Sequence, residues 1–134
     1  MPMYVLNTCI MIPFLKGKNG IQERISEVGI QACHLPEVVL SELLVGAYKT
    51  GRKTELDAVG YVRSLFKTLP LTYDILDKYA QIRALLEKQG CKIDNMDLLI
   101  AATAMQGNYT LVTHNIRHFS RVPGLKLEDW IQDE

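Results

Sequence analysis

The chain is 134 residues long, 48% hydrophobic and 22% charged, the size and composition of one globular domain spanning residues 1–134, with no room for two. Fifteen Lys and Arg balance fifteen Asp and Glu. That balance excludes the strong basic field of a protein that coats nucleic acid by charge alone, so any such contact must use a local patch.

Aromatic residues are only 7% of the chain, too few for a base-stacking platform, and the core must be mainly aliphatic. Cys9, Cys33 and Cys91 are an odd set at wide spacing. They make neither a disulfide framework nor a paired zinc motif, which points to a reducing, cytoplasmic compartment. No stretch reaches the roughly 20 apolar residues a membrane helix needs. The opening Met1 to Phe14 is apolar, but it has no basic leader and is interrupted by Asn7, Thr8 and Pro13, so it reads as a buried strand and its exit rather than a signal peptide.

In chain order, Tyr4-Val5-Leu6 is a short apolar run of the kind buried on both faces, and Asn7-Thr8 end it with polar side chains. Lys16 to Asn19 is a basic loop. Ile21, Ile25 and Val28 then have the spacing of a short helix stopped by Gly29. Ala32-Cys33-His34 suits a second strand, and Leu35 to Tyr48 a helix with Pro36 near its first turn, its apolar side at Leu40, Leu43, Leu44 and Ala47, and Glu42 on its more polar side. After a basic turn around Gly51, Leu56 to Phe66 predicts another helix, and Leu69-Pro70-Leu71 a strand-like link. The stripe Ile75, Tyr79, Ile82, Leu85 and Leu86 predicts a helix ending at Gly90. Asn95 is the expected cap of a nearly all-apolar, central helix that carries Asp97 in its first turn. Thr110 to Thr113 is the clearest β-branched strand, again followed by polar residues, His114 and Asn115. The acidic end, with Glu128, Asp129, Asp133 and Glu134, reads as a solvated tail.

Strands alternating with helices imply an α/β domain with a mainly parallel central sheet, whose ligands bind beyond the carboxyl ends of the strands. Asn7, Glu42, Asp97 and Asn115 are oxygen-bearing side chains at separate, well-placed positions. Their convergence would make an oxygen-only site suited to Mg²⁺ or Mn²⁺, which neutralises clustered carboxylates and activates water.

The segments around these residues, Tyr4 to Ile10, Leu40 to Leu43, Asp97 to Ala104 and Leu111 to Phe119, resemble the four signature blocks of PIN-domain ribonucleases. Together with Val122 to Leu125 and Glu128 to Trp130, they are more narrowly similar to the VapC toxins of toxin–antitoxin pairs. The resemblance implies an α/β/α sandwich and a metal-dependent endoribonuclease acting on structured RNA, with tRNA the leading candidate. It also implies a VapB-type antitoxin partner and a homodimer. Asp97 and Glu42 match the family's acidic positions, Asn115 a position that carries Asp or Asn, and Thr8 and Thr113 small hydroxyl positions beside the site.

Asn7 departs from the family, which has Asp there as a principal metal ligand. Loss of one charge beside a cation removes several kcal/mol of attraction even at an effective dielectric near ~20, so metal binding and catalysis should fall while the fold survives. With the rest of the site intact, a single silencing substitution fits better than decay of the whole site. The alternative is a non-catalytic pseudonuclease that binds RNA or antitoxin. A phosphoacceptor receiver-like domain fares poorly, because it needs an acidic pair after the first strand.

Other residues carry ordinary expectations. Asp94 is a helix-dipole carboxylate, His114 a neighbour of the site, His118 a surface or packing residue, and Cys9 a buried thiol. Lys16, Lys18, Lys49, Arg52 and Lys53 would hold RNA phosphates if their loops flank the cleft, with Arg117 and Arg121 next in line. The helices at Ile21 to Val28 and Leu35 to Tyr48 are expected to form the antitoxin groove.

Overall fold

Five short strands form one sheet in the order β3-β2-β1-β4-β5, and every neighbouring pair is parallel. The computed structural model describes residues 2–134; Met1, the first residue of the expected opening strand segment, lies outside them. The strands are β1 Tyr4–Leu6, β2 Cys33–Pro36, β3 Lys67–Leu69, β4 Thr110–Val112 and β5 Lys126–Glu128. Between them run helices α1 Thr8–Lys16, α2 Ile21–Val28, α3 Glu37–Thr50, α4 Lys53–Leu65, α5 Tyr73–Lys88, α6 Asn95–Gln106 and α7 Ile116–Phe119.

Parallel pairing forces helical crossovers, and these cover the sheet, which is why β1 and β2 are buried along their whole length. The core joins Val5, Leu6, Leu35 and Leu111 of the strands to Ile10, Met11, Val39 and Ile100 of the helices, each buried. In α6 every residue from Ile100 to Ala104 is buried, as an all-apolar helix requires.

Several expectations need correction. The residues after Leu6 do not simply leave the strand: they form α1, with Pro13 inside it. A proline there removes one helix bond, and the nearly continuous apolar run from Cys9 to Leu15 hides any periodicity. Capping compensates, with Asn7 at the start and Gly17, at φ 67°, at the end. The third strand is Lys67–Leu69 rather than a link at Leu69 to Leu71, and Pro36 closes β2 and caps α3 rather than sitting inside that helix. Asp94, not Asn95, caps α6, its Oδ2 accepting from the Met96 and Asp97 amides at 3.1 and 3.4 Å.

The acidic end is a solvated tail only in part: Asp129, Asp133 and Glu134 are exposed, but Glu128 ends a strand. Lys126–Glu128 pairs with β4 as an edge strand, and Trp130 is buried with its ring edge-on to Tyr4, centroids 4.9 Å apart. Beyond it the Gln132 amide donates to the Asn19 carbonyl at 2.9 Å.

Candidate active site

The strand order reverses at β1: the chain moves outward through β2 and β3 on one side and returns through β4 and β5 on the other. A crevice therefore opens beyond the carboxyl ends of β1 and β4, where α/β sheets bind ligands. Asn7 follows β1 and Thr113 follows β4, and the Asn7 amide donates to the Val112 carbonyl at 3.0 Å, holding the two strand exits together.

Asn7 is buried, 6% exposed, and both ends of its side chain are engaged. Its Oδ1 accepts from the Thr8 amide at 2.8 Å, capping α1, while its Nδ2 donates to Thr113 Oγ1 at 2.9 Å. The reverse orientation would set an NH₂ against an N–H, so the bonding fixes which atom is which. Thr113, fully buried, also accepts from the Asn115 amide at 3.1 Å and lies 3.6 Å from Cys9 Sγ. The neighbouring Thr8 Oγ1 donates to Glu42 Oε1 at 2.7 Å. Glu42 is half-buried against the first turn of α1, not on an outward polar side as the sequence pattern implies.

Asp97 lies in the first turn of α6 and pairs through Oδ2 with His118 Nε2 at 3.0 Å. Burial raises its carboxyl above the ordinary range, and His118 pulls it part of the way back. No hydrogen bond joins Asp97 to Asn7 or Glu42 among the described residues; the link is the segment from Thr113 through Asn115 into α7, which carries His118. Asn115 joins this network by its backbone, and its side chain is exposed and caps nothing.

His118 is thus placed against a site carboxylate, not on an indifferent surface. Its expected role is surface or packing, and it does pack edge-on against Phe119, but nothing in the spacing links positions 97 and 118. Cys9 is exposed at the mouth of the site, not buried. His114 pairs with Asp129 at 3.0 Å on the outside. Of the basic residues, Arg117 and Arg121 line one concavity with Asn115 and His118, whose ring meets Asp97. Lys16 and Lys18 sit at the far end of α1, whose nine residues put about 13 Å between them and Asn7. Lys49, Arg52 and Lys53 lie at the α3–α4 turn, about two helical turns beyond Glu42.

Among the described residues no three His, Cys, Asp or Glu side chains gather to hold a metal. Glu42 and Asp97 offer the hard oxygens that Mg²⁺ or Mn²⁺ prefers. At residue 7 the carbonyl oxygen already accepts the helix-cap bond and is uncharged, and the other terminal atom is an NH₂, which has no lone pair for a cation. Of the three residues expected to hold an ion, Glu42 and Asp97 carry suitable carboxylate oxygens and Asn7 does not carry the charge.

The PIN domain family model matches residues 4–125. The chain is 34% identical over 127 residues to the ribonuclease VapC1 of Rickettsia felis, covering 92% of each. It is 32% identical over 126 residues to the tRNA(fMet)-specific endonuclease VapC of Salmonella typhimurium, covering 92% of this chain and 93% of the relative. The structure of Rickettsia felis VapBC2 bound to a DNA fragment from its promoter superposes with a TM-score of 0.88 at 30% identity, covering 96% of this chain and 98% of that one.

Proposed function

The chain belongs to the PIN-domain family, among the VapC ribonucleases, and from that premise we propose that it is a Mg²⁺- or Mn²⁺-dependent endoribonuclease toxin whose catalysis is impaired at Asn7. The observation that carries this reading is the Asn7 amide itself: it sits at the strand-end crevice, capping α1 by its oxygen and giving Thr113 an NH₂ where a carboxylate would leave an acceptor. Glu42 and Asp97 would hold the ion with residue 7, and Asn115 would complete the polar rim. When bound, such an ion supplies water activation and charge neutralisation at a phosphodiester.

The rest falls to the chain's own side chains. Thr8 fixes one oxygen of Glu42, so that carboxylate presents a defined orientation to the crevice. Arg117 and Arg121, in the concavity beside Asp97, would hold the phosphates of the bound strand. With zero net charge over the whole chain, recognition would rest on the shape of a folded RNA, tRNA being the class a relative's name carries.

Since neighbouring structures are VapBC complexes, a VapB-type antitoxin is the proposed partner, and a homodimer the proposed assembly. Of the two helices expected to form that partner's groove, α3 keeps exposed apolar residues and α2 does not. Ile21 and Ile25 of α2 are spent in the core, while Ile12 and Leu15 of α1 and Leu44, Val45 and Tyr48 of α3 are exposed. An amphipathic segment would cover these. No helix of the described residues is long and apolar enough to cross a membrane.

Induced expression in cells without the antitoxin tests the reading. The Asn7→Asp form should arrest growth, the chain as it stands should not, and adding Asp97→Asn to the Asp form should abolish the arrest. Growth unaffected by Asn7→Asp would favour a pseudonuclease.

A further inference from the structure

We propose that His118 is a positioning residue for Asp97, held in a single tautomer by Arg121 so that the Asp97 carboxylate has one orientation at the site. The role rests on the reading of Asp97 as a metal-holding carboxylate. The geometry behind it is a three-residue relay. Arg121 Nη2 lies 2.8 Å from His118 Nδ1, and His118 Nε2 lies 3.0 Å from Asp97 Oδ2.

A guanidinium can only donate, so His118 Nδ1 must accept. The ring hydrogen therefore sits on Nε2, which donates to Asp97. The choice of tautomer, usually open in an imidazole, is set here by the neighbour on the other ring nitrogen.

Three further contacts keep the relay in place. Arg121 Nε donates to the His118 carbonyl at 3.2 Å, so one guanidinium grips residue 118 by both ring and backbone. Arg121 Nη1 lies 3.6 Å from Cys91 Sγ, on the connection that leads into α6, the helix carrying Asp97. The buried Phe119 ring meets the His118 ring edge-on, centroids 5.2 Å apart, which restricts its plane.

The relay matters because the terminal torsion of an aspartate is broad and does not fix the carboxylate plane by itself. One anchored oxygen fixes it. Asp97 Oδ2 is that oxygen, and Oδ1 makes no hydrogen bond among the described residues, leaving it free for a ligand. Residues that orient a metal-holding side chain in this way typically change metal affinity by about 10- to 100-fold when removed.

Two measurements test the proposal. The first is the pair of His118 imidazole ¹⁵N shifts in the unaltered chain by long-range proton–nitrogen correlation. A protonated Nε2 with a bare Nδ1 is expected, moving towards a tautomer mixture in Arg121→Met. A protonated Nδ1, or a mixture already present in the unaltered chain, overturns the clamp.

The second is Mn²⁺ affinity by electron paramagnetic resonance in the Asn7→Asp background. His118→Phe should weaken binding about 10- to 100-fold. His118→Gln, whose amide can donate to Asp97 and accept from Arg121, should restore most of it. Undiminished binding in His118→Phe overturns the positioning role and leaves the site reading intact. Equal losses in Phe and Gln overturn it too, because they make the residue merely structural. Absence of Mn²⁺ binding in Asn7→Asp itself overturns the site reading, and this role falls with it.

Discussion

Replacing Asn7 by Asp should make the protein less stable without a divalent ion and more stable with one, and elementary electrostatics and mass action set the scale of both effects. The helix cap survives, since Asp and Asn are equivalent caps and Oδ1 keeps the Thr8 amide at 2.8 Å. The second oxygen replaces Nδ2, and Thr113 Oγ1, at 2.9 Å, is free to turn its hydroxyl hydrogen to meet it. The number of hydrogen bonds is nearly unchanged. A charge at the start of α1 gains about 0.3–1 kcal/mol from the helix dipole. Against that, a nearly buried carboxylate joins the site expected to include Glu42 and Asp97, and like charges sharing one crevice repel by about 2 kcal/mol at an effective dielectric of about 20. A net loss of about 1–2 kcal/mol in chelator follows, a few degrees in Tm for a domain of this size. With Mn²⁺ at about a thousand times its Kd, binding returns about 4 kcal/mol, so the Asp form should gain about 10 °C or more. The unaltered chain, with its weaker site, should shift by only a degree or two. Thermal melts of both forms in chelator, Mg²⁺ and Mn²⁺ read this directly. Equal divalent-induced shifts in the two forms would refute the argument that the Asn7 amide is what weakens the site.

Thr113→Val should cost about 2–4 kcal/mol by chemical denaturation, because it leaves Asn7 Nδ2 and the Asn115 amide without their acceptor; a loss under about 0.5 kcal/mol would show that the network is not holding the strand exits. Cys33 is fully buried and its thiol is pushed up to about 11. At pH 8 only about one Cys33 in a thousand is a thiolate, so a thiol reagent should label exposed Cys9 far faster. The sign for stability follows: above pH 9 the unfolded chain releases this proton and the folded chain keeps it, so stability falls as pH rises towards 11. Mass-spectrometric labelling that finds the two cysteines equally fast would contradict the burial. Val45→Asp with Leu44→Asp, on the exposed side of α3, should abolish co-purification with the antitoxin while leaving the melt unchanged; retained binding places the partner elsewhere.

The frame of this molecule was legible because its strands announce themselves. Tyr4-Val5-Leu6 and Thr110-Leu111-Val112 are apolar or β-branched runs that end in polar residues, and those endings, Asn7 and Thr113, meet at the crevice. The helix α5 follows from its stripe and α6 from its apolar run, although the cap of α6 is Asp94, one residue before the expected Asn95. What escaped is what depends on partners distant in sequence. The helix α1 carries Pro13 and no clear stripe, and it forms because Asn7 caps it and Ile10, Met11 and Phe14 fill the space over the sheet. The strand β5 alternates charge with a single Leu127 and becomes a strand only by pairing with β4. Within the site, residue types mark Asn7, Glu42 and Asp97, but no spacing reveals that Thr8 would hold Glu42 or that His118 would face Asp97 across 21 positions.

The most direct test is cleavage of a total tRNA pool by the unaltered chain and by Asn7→Asp, each with Mg²⁺, Mn²⁺ and chelator. Discrete cuts made by the Asp form, abolished by chelator and weak or absent with the unaltered chain, are the predicted result. Equal cutting by both forms, or cutting that survives chelator, would contradict the account of a metal ribonuclease impaired at one ligand.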